Sequence, residues 1–401
     1  MQLRSIPSVS AAHPRVLIVG AFPSPASQIF GGMVTSCRAL LASTLPTRVE
    51  LDLLDSTQAR NPPPPLPSRI ARSAVRFLRF IGRLEAHRPD AVLLFVADGA
   101  SIVEKGAMAW YARVRSVPTV MLPRAGSIVN ACNESAFTRW STRFLFRGAR
   151  KIVCQSEVWR DFAIQMLGFP PREVAVIRNW TATRELLDIG ARRTARRGEP
   201  VRLLFVGWLE RDKGVFELID ACRQLAAGRR FTLDLAGEGH ASSAARALVA
   251  HHGLGDVVRF RGWLRAEHLH QALRDADVLV LPSWAEGLPN AMVEAMAARL
   301  ALVVSRVGAI PDVITDRHSG LLVAPRDTQA LRQALAEILD DRELRDRLAA
   351  EAYQIAEREF GVERAVDRLI EEIDHTIAAV HTGVLTEDAN TGGRRTDDDA
   401  S

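Results

Sequence analysis

Lysine is nearly missing from this chain of 401 residues. Only Lys105, Lys151 and Lys213 carry it, and arginine supplies the rest of the 52 basic side chains. Such an imbalance points to genomic base composition more than to function. Cysteine is scarce too: Cys37, Cys132, Cys154 and Cys222 lie far apart and form no C-x-x-C. That spacing argues against a disulfide framework or a zinc site and suits the cytoplasm. No apolar run approaches the length of a membrane span, and the N-terminus lacks the apolar core of a signal peptide. Any membrane link is therefore expected to be peripheral. What is present is the composition of a soluble globular protein, 47% hydrophobic and 25% charged, with room for two domains. The net charge of +5 fits an anionic partner such as a nucleotide or a membrane face, and singles out neither. No nucleic-acid partner is expected.

Short apolar runs alternate with helical patterns along most of the chain. After a leader expected to be unstructured over 1–13, runs at 15–20, 49–53, 91–96, 119–122, 151–155 and 174–179 read as strands. The rhythm restarts at 202–206, 231–236, 257–260, 278–281, 301–305 and 320–323. Strands alternating with helices predict parallel sheets covered on both faces. The basic run 183–200 loses apolar periodicity after Ile189, so the domain boundary is expected there. This divides the chain into an N-terminal domain over 14–185, a linker over 186–200 and a C-terminal domain over 201–360. Asn61 to Pro67 holds five prolines and reads as a surface connector. Residues 386–401 are expected to be disordered.

The helix predicted over 68–87 places Arg69, Arg72, Arg76, Arg79 and Arg83 at steps of three and four, on one face. Two readings stay open: a core-packed helix with a solvated basic edge, or a helix that docks on anionic lipid. Gly31-Gly32, between the first strand and a helix, reads either as a turn or as the close backbone approach that α/β domains offer a phosphate. Asp275-Ala276-Asp277 mimics a metal-binding D-x-D but reads as helix-end chemistry before a buried strand.

The most informative stretch is Glu286-Gly287-Leu288-Pro289-Asn290-Ala291-Met292-Val293-Glu294, where a strand gives way to a helix. Pro289 suits the first helical turn. Backbone N–H groups from Gly287 to Asn290 would face outward at a helix N-terminus, which favours an anion. Together with Leu281-Pro282-Ser283 before it, the pair of glutamates eight positions apart resembles the retaining glycosyltransferases of family 4, also called glycosyl transferases group 1. The resemblance covers roughly 15–375.

That resemblance implies the GT-B fold, two Rossmann-like α/β domains with parallel sheets facing a central cleft, and a last helix over 361–385 crossing back to the first domain. It implies transfer of a hexose from a UDP- or GDP-hexose to a hydroxyl of a glycan or glycolipid acceptor, with retention, in bacterial cell-surface polysaccharide or glycolipid synthesis. No cofactor or metal is required by it. Glu286 would bind the donor hexose and Glu294 the ribose diol, with Gly31, Gly32, Gly287, Leu288, Pro289 and Asn290 around the donor. Lys213 would meet the pyrophosphate. Gly262, Trp263 and Leu264 would hold the nucleobase.

Two positions depart from the family's pattern. Trp208 stands where an arginine is usual, and Arg211, three residues on, is the candidate to replace it. The loop after the strand at 119–122 has Pro123-Arg124-Ala125-Gly126 where relatives carry a histidine. Arg124 is thus the candidate for a sugar contact. These departures leave two other classes in view: a nucleotide-sugar 2-epimerase of the same fold, and a nucleotide-sugar-binding protein without transferase activity.

Overall fold

A computed structural model describes residues 13–23, 31–57, 65–194 and 200–381. The leader except His13, part of the proline-rich connector, part of the expected linker and the tail over 386–401 lie outside these residues. The first half runs β1 (Arg15–Gly20), α1 (Gly32–Leu41), α2 (Leu45–Arg48), β2 (Glu50–Asp55), α3 (Leu66–His87), β3 (Ala91–Val96), α4 (Ala100–Val114), β4 (Thr119–Pro123), α5 (Ser127–Glu134), α6 (Ala136–Phe146), β5 (Lys151–Cys154), α7 (Glu157–Gln165) and β6 (Val174–Val176). The second half runs α8 (Arg184–Ala191), β7 (Val201–Val206), α9 (Val215–Ala226), β8 (Phe231–Ala236), α10 (Ser242–His251), β9 (Val258–Gly262), α11 (Ala266–Asp275), β10 (Val278–Leu281), α12 (Asn290–Ala297), β11 (Ala301–Ser305), β12 (Leu321–Val323), α13 (Thr328–Asp340), α14 (Arg342–Glu359) and α15 (Val362–His381).

Each half builds one six-stranded parallel sheet, in the orders β2-β1-β3-β4-β5-β6 and β12-β11-β10-β7-β8-β9. Unbroken apolar runs explain this. Every residue of β3 (AVLLFV) and β10 (VLVL) is buried, as a strand covered on both faces requires. In both sheets the strand order reverses beside the first strand of the half, between β1 and β3 and between β7 and β10. Open parallel sheets bind ligands in the crevice at the carboxyl ends of the strands where the order reverses. The loops that leave β3, β7 and β10 are where the cleft described below is found.

Helix α15 returns to the first half. Its Val366, Leu369 and Ile373 are fully buried in a core shared with β1, β3 and α1. Glu363 accepts from the Thr44 hydroxyl at 2.5 Å, Asp367 pairs with Arg48, and Glu372 pairs with Lys151. The polar edge of the helix is thereby tied to the domain it joins.

One local reading needs correction. The segment from 186 does not begin as a linker. Ala182 and Leu186 already belong to the second half's core. Gly190 lets α8 lie against its neighbours: a Cβ there would fall 2.3 Å from the Ala297 carbonyl oxygen and 2.6 Å from the Tyr353 ring. The Tyr353 hydroxyl donates to the Leu187 carbonyl at 3.3 Å. The arginines of α3 divide, with Arg69, Arg72 and Arg79 exposed. Arg76 pairs with buried Glu104, and Arg83 with Asp52, because both point toward the body of the domain. The side of α3 turned outward carries Ile70 and Leu78, each at least 60% exposed.

Gly190→Ala distinguishes a docked α8 from a linker. In a free helix the change would stabilise by up to ~1 kcal/mol. Here the clash with backbone should destabilise by ~1–3 kcal/mol, as overpacking does, read as a lower urea midpoint. A raised midpoint would remove α8 from the second half's core.

Candidate active site

Glu286 lies in the loop between β10 and α12, and its Oε1 sits 2.7 Å from the Lys213 Nζ. Lys213 closes a 3-10 turn, Arg211–Lys213, at the foot of α9. Gly214 follows with φ +69°, and a Cβ there would meet the Pro282 carbonyl oxygen at 2.1 Å. Only glycine lets this turn lie flat against the end of β10. The Trp284 N–H donates to the Asp212 carbonyl at 2.7 Å and closes the contact. The ion pair is thus set by two backbone segments locked together, and it faces a cleft of about 650 Å³ between the two sheets.

Helix α12 supplies the second carboxylate. Glu294 is 6% exposed and lines the same cleft. Burial raises its pKa to about 8, so the carboxyl of the free protein is protonated at neutral pH. Pro289 is the N-cap rather than a residue of the first turn, with ψ 125°, and no side chain caps the helix. Gly31 likewise caps α1 without a side-chain acceptor. Two uncapped helix N-termini therefore meet at the cleft, each a site of partial positive charge.

The halves are stitched together by asparagine. Asn290 donates from Nδ2 to the Gly32 carbonyl at 2.8 Å and to the Ser36 hydroxyl at 3.1 Å. Asn179, just beyond β6, donates to the Asn290 Oδ1 at 2.8 Å and to the Leu288 carbonyl at 2.6 Å. Arg124 donates to the Asn179 Oδ1 at 3.2 Å and lies over the Trp180 ring at 4.0 Å. Its Nε and Nη2 are enclosed and meet no acceptor among the described residues. Burial lowers its pKa to about 10, which still leaves it charged at neutral pH. The loop carrying Arg124 presses on the Glu286 loop: a Cβ on Gly126 would fall 2.6 Å from the Glu286 carbonyl oxygen.

Of the residues named from sequence, Gly31, Gly32, Arg124, Lys213, Trp263, Leu264, Glu286, Gly287, Leu288, Pro289, Asn290 and Glu294 all line this one cleft. Arg211 and Gly262 are not among its lining residues. Arg211 is exposed on the turn that aims Lys213 inward, so it does not put a second cation beside Glu286. Gly262 ends β9, and its carbonyl accepts from the Gly237 N–H at 2.8 Å, behind the wall that Trp263 forms. Trp208 turns its ring edge to face onto Trp263, with centroids 4.5 Å apart. Asp275 and Asp277 hold the start of β7: Asp277 accepts from the Arg202 N–H at 2.8 Å, and Asp275 lies 3.8 Å from its guanidinium.

Sequence reasoning passed over Asn179, Gln155 and Ser283, which line the cleft too. The Gln155 Nε2 and Ser283 Oγ are buried with no partner among the described residues, and buried polar atoms left so are costly unless a ligand meets them. Their shared signal was available: each stands at or just past the carboxyl end of a predicted parallel strand.

Comparison with known proteins agrees with this geometry. Residues 191–355 match the family model described as glycosyl transferases group 1, and 33–180 match a glycosyl transferase 4-like domain. The chain is 30% identical over 241 residues to a putative colanic acid biosynthesis glycosyltransferase, WcaL, of Salmonella typhimurium, covering 58% of each chain. It is 32% identical over 288 residues to a glycogen synthase of Mycobacterium tuberculosis, covering 71% of this chain and 68% of that one. Among solved structures, a sucrose-phosphate synthase from Thermosynechococcus elongatus superposes with a TM-score of 0.74 at 19% identity, over 92% of this chain and all of that one. Anabaena HepE, solved with UDP-glucose, superposes at 0.67 with 18% identity, over 90% of this chain and all of that one. The two structures share the fold.

Glu294 gives the free protein a pH signature. Its folded pKa is raised, so the stability it contributes is complete below about 4.5 and is lost as pH rises toward about 8. Across that window the unfolded chain releases a proton that the folded chain keeps, a slope of at most about 1.4 kcal/mol per pH unit. Glu294→Gln should therefore gain stability relative to wild type between pH 5 and pH 8, followed by urea unfolding. A difference that stays constant with pH would mean that Glu294 is ionised in the free protein.

Proposed function

We propose, for a chain that belongs to the group 1 glycosyl transferases, transfer of a hexose from a nucleoside diphosphate to an acceptor hydroxyl with retention of configuration. The observation that carries the reading is the Lys213–Glu286 pair at 2.7 Å, set in the interdomain cleft beside buried Glu294. In the free protein the two charges satisfy each other. A donor separates their tasks: Lys213 turns to the diphosphate and Glu286 accepts hydrogen bonds from the hexose hydroxyls. Glu294 accepts from the ribose diol, and that bonding favours its ionised form, so nucleotide binding near neutral pH releases a proton.

Departure of the nucleoside diphosphate builds negative charge on its phosphates. Lys213 and the uncapped N-termini of α1 and α12 lie where fixed positive charge stabilises that change. Arg124 adds two unpaired N–H groups from the first half. With these cations in place the reaction needs no metal. In the reading we propose, no carboxylate acts as a nucleophile: the acceptor attacks on the face the leaving group departs from, and the donor phosphate takes its proton. Trp208 and Trp263 offer the aromatic surface for the nucleobase. HepE was solved with UDP-glucose, which makes UDP-hexoses the first donors to assay, ahead of GDP-hexoses. WcaL is named for polysaccharide synthesis, and a glycan or glycolipid of the cell surface is the acceptor we infer, reached from the cytoplasm.

The inferred contact with an anionic membrane joins the exposed arginines of α3 to the outer faces of α3, α4 and α6. There Phe137 and Trp140 are 74% and 63% exposed, and Phe144 stacks on Trp110 at 5.3 Å. Exposed Leu78, Val103 and Val114 extend this surface, and Arg79, Arg143 and Arg147 border it. Aromatic and apolar groups flanked by arginine suit the headgroup boundary of anionic lipid. No helix among the described residues is long and apolar enough to cross a membrane.

Two experiments follow. Glu286→Gln should keep nucleoside diphosphate affinity near wild type while transfer falls on the order of a hundredfold, since misplacing the reacting carbon costs about that much. Glu294→Ala should weaken nucleotide binding itself by ~1.5–3 kcal/mol, and Arg211→Ala should leave transfer intact. A changed nucleotide sugar released with no acceptor present would establish an epimerase instead, and donor binding without any product a binding protein. For the membrane, Phe137→Ser with Trp140→Ser should strip binding to phosphatidylglycerol vesicles, and binding that survives both changes would rule the face out.

A further inference from the structure

Beside the donor cleft lies a second chamber, of about 420 Å³, in the first half of the chain. The two share a wall at Gly31–Val34 and Ala97–Asp98, and Trp208 of the second half stands at both. The chamber's far side is the inner edge of α3, which brings Arg69, Arg72 and Arg76, and its floor is α4, which brings Glu104 and Lys105.

The charges in it do not balance. Lys105 is 2% exposed, and its Nζ lies 2.8 Å from the Glu104 Oε2. Arg76 takes the same carboxylate from the other side. One buried acid thus serves two cations. Asp98, the other acid of the chamber, already accepts from the Ser127 hydroxyl at 2.9 Å. Arg69 and Arg72 are exposed and make no ion pair among the described residues. Among the lining residues four cationic side chains face two carboxylates, Asp55 behind the wall also acts on Lys105, and the surplus that remains suits an anion of about one to two negative charges. A buried lysine held beside a shared carboxylate is costly for the fold, and nothing in the donor cleft makes use of it.

We propose that this chamber binds the acceptor and that the acceptor carries a phosphate or diphosphate, held by Arg69 and Arg72 with Arg76 and Lys105 behind them. The inference rests on the transferase reading, since it is adjacency to the donor cleft that makes an occupant an acceptor. Guanidinium forks match phosphate oxygens two at a time, which a single carboxylate of a sugar acid does not repay as well. The volume suits one sugar and its phosphate. Gly31 and Gly32 lie between the two ligands, so the acceptor hydroxyl approaches the donor across the N-terminus of α1.

The test separates the chamber from the donor site by filling the latter. The full chain is saturated with whichever nucleoside diphosphate most raises its melting temperature, then titrated calorimetrically with pyrophosphate, farnesyl diphosphate and glucuronate. Both diphosphates should bind, and glucuronate at least about tenfold more weakly. Arg69→Gln with Arg72→Gln should weaken both diphosphates by about tenfold or more, while Arg368→Gln, an exposed arginine of α15, should not. Tighter binding of farnesyl diphosphate than of pyrophosphate assigns the group to a lipid-linked acceptor, and equal binding to a soluble one. Nucleotide binding with no response to either diphosphate, or an unchanged affinity in the double variant, would overturn the inference and leave the transferase reading standing. Failure of every nucleotide to bind would instead remove that reading, and this one with it.

Discussion

The side chain of Asn290 is the point on which the arrangement of the two halves depends. Its amide donates into the first turn of α1 while its carbonyl accepts from Asn179 of the first half. It is itself the first residue of α12. One side chain therefore brings the N-terminal ends of two helices from different domains to within hydrogen-bonding reach of each other. Those ends carry like partial charges, and their approach is unfavourable without an anion between them. Glu286 supplies a negative charge nearby, but it is engaged by Lys213. The geometry is that of a site assembled for an anionic ligand, with the electrostatic cost of assembly offset when the ligand arrives.

This arrangement also explains why Glu294 remains neutral in the free protein. A carboxylate facing two helix N-termini in water would be favoured, yet Glu294 lies a turn inside α12, buried, with no cation paired to it among the described residues. Desolvation outweighs the distant dipoles. A diol of a bound ribose changes the balance by donating two hydrogen bonds where there were none. On the proposed role of Glu294, binding and ionisation would then be one event.

Strand positions and the parallel sheets were legible because the strands are buried on both faces and read as unbroken apolar runs. The Glu286–Glu294 unit was legible because strand, loop and helix are contiguous there. What escaped were relations across the chain. Asn179 joins Asn290 from 111 residues away, and nothing local marks it except its place at the end of a strand. Helix α8 was taken for linker because its apolar periodicity stops at Ile189 in a basic run, too short a pattern to show that the helix packs on the second half. The arginines of α3 share a face, as their spacing requires, but spacing does not say whether that face meets solvent or Glu104 and Asp52. Arg211 illustrates the same limit at short range: two cations in one 3-10 turn cannot both face the same ligand.

The position of Trp208 shows how a lost cation is accommodated. Its ring packs on Trp263 and reaches both the donor cleft and the cationic chamber. An arginine there would add a fifth cation to a chamber already in surplus, and would compete with Arg69 and Arg72 for the same anion. Beside Lys213, positive charge reaches the cleft from the first half, where Arg124 is stacked on Trp180 and fixed by Asn179 with two N–H groups to spare among the described residues. Stacking on an aromatic face lets a guanidinium be enclosed while keeping its charge. The first half therefore holds a cation of a cleft whose other cation, Lys213, comes from the second. Arg124 meets the second half through a relay: its partner Asn179 also donates to the Asn290 Oδ1 and the Leu288 carbonyl, so the group that fixes the cation is the one that joins the halves.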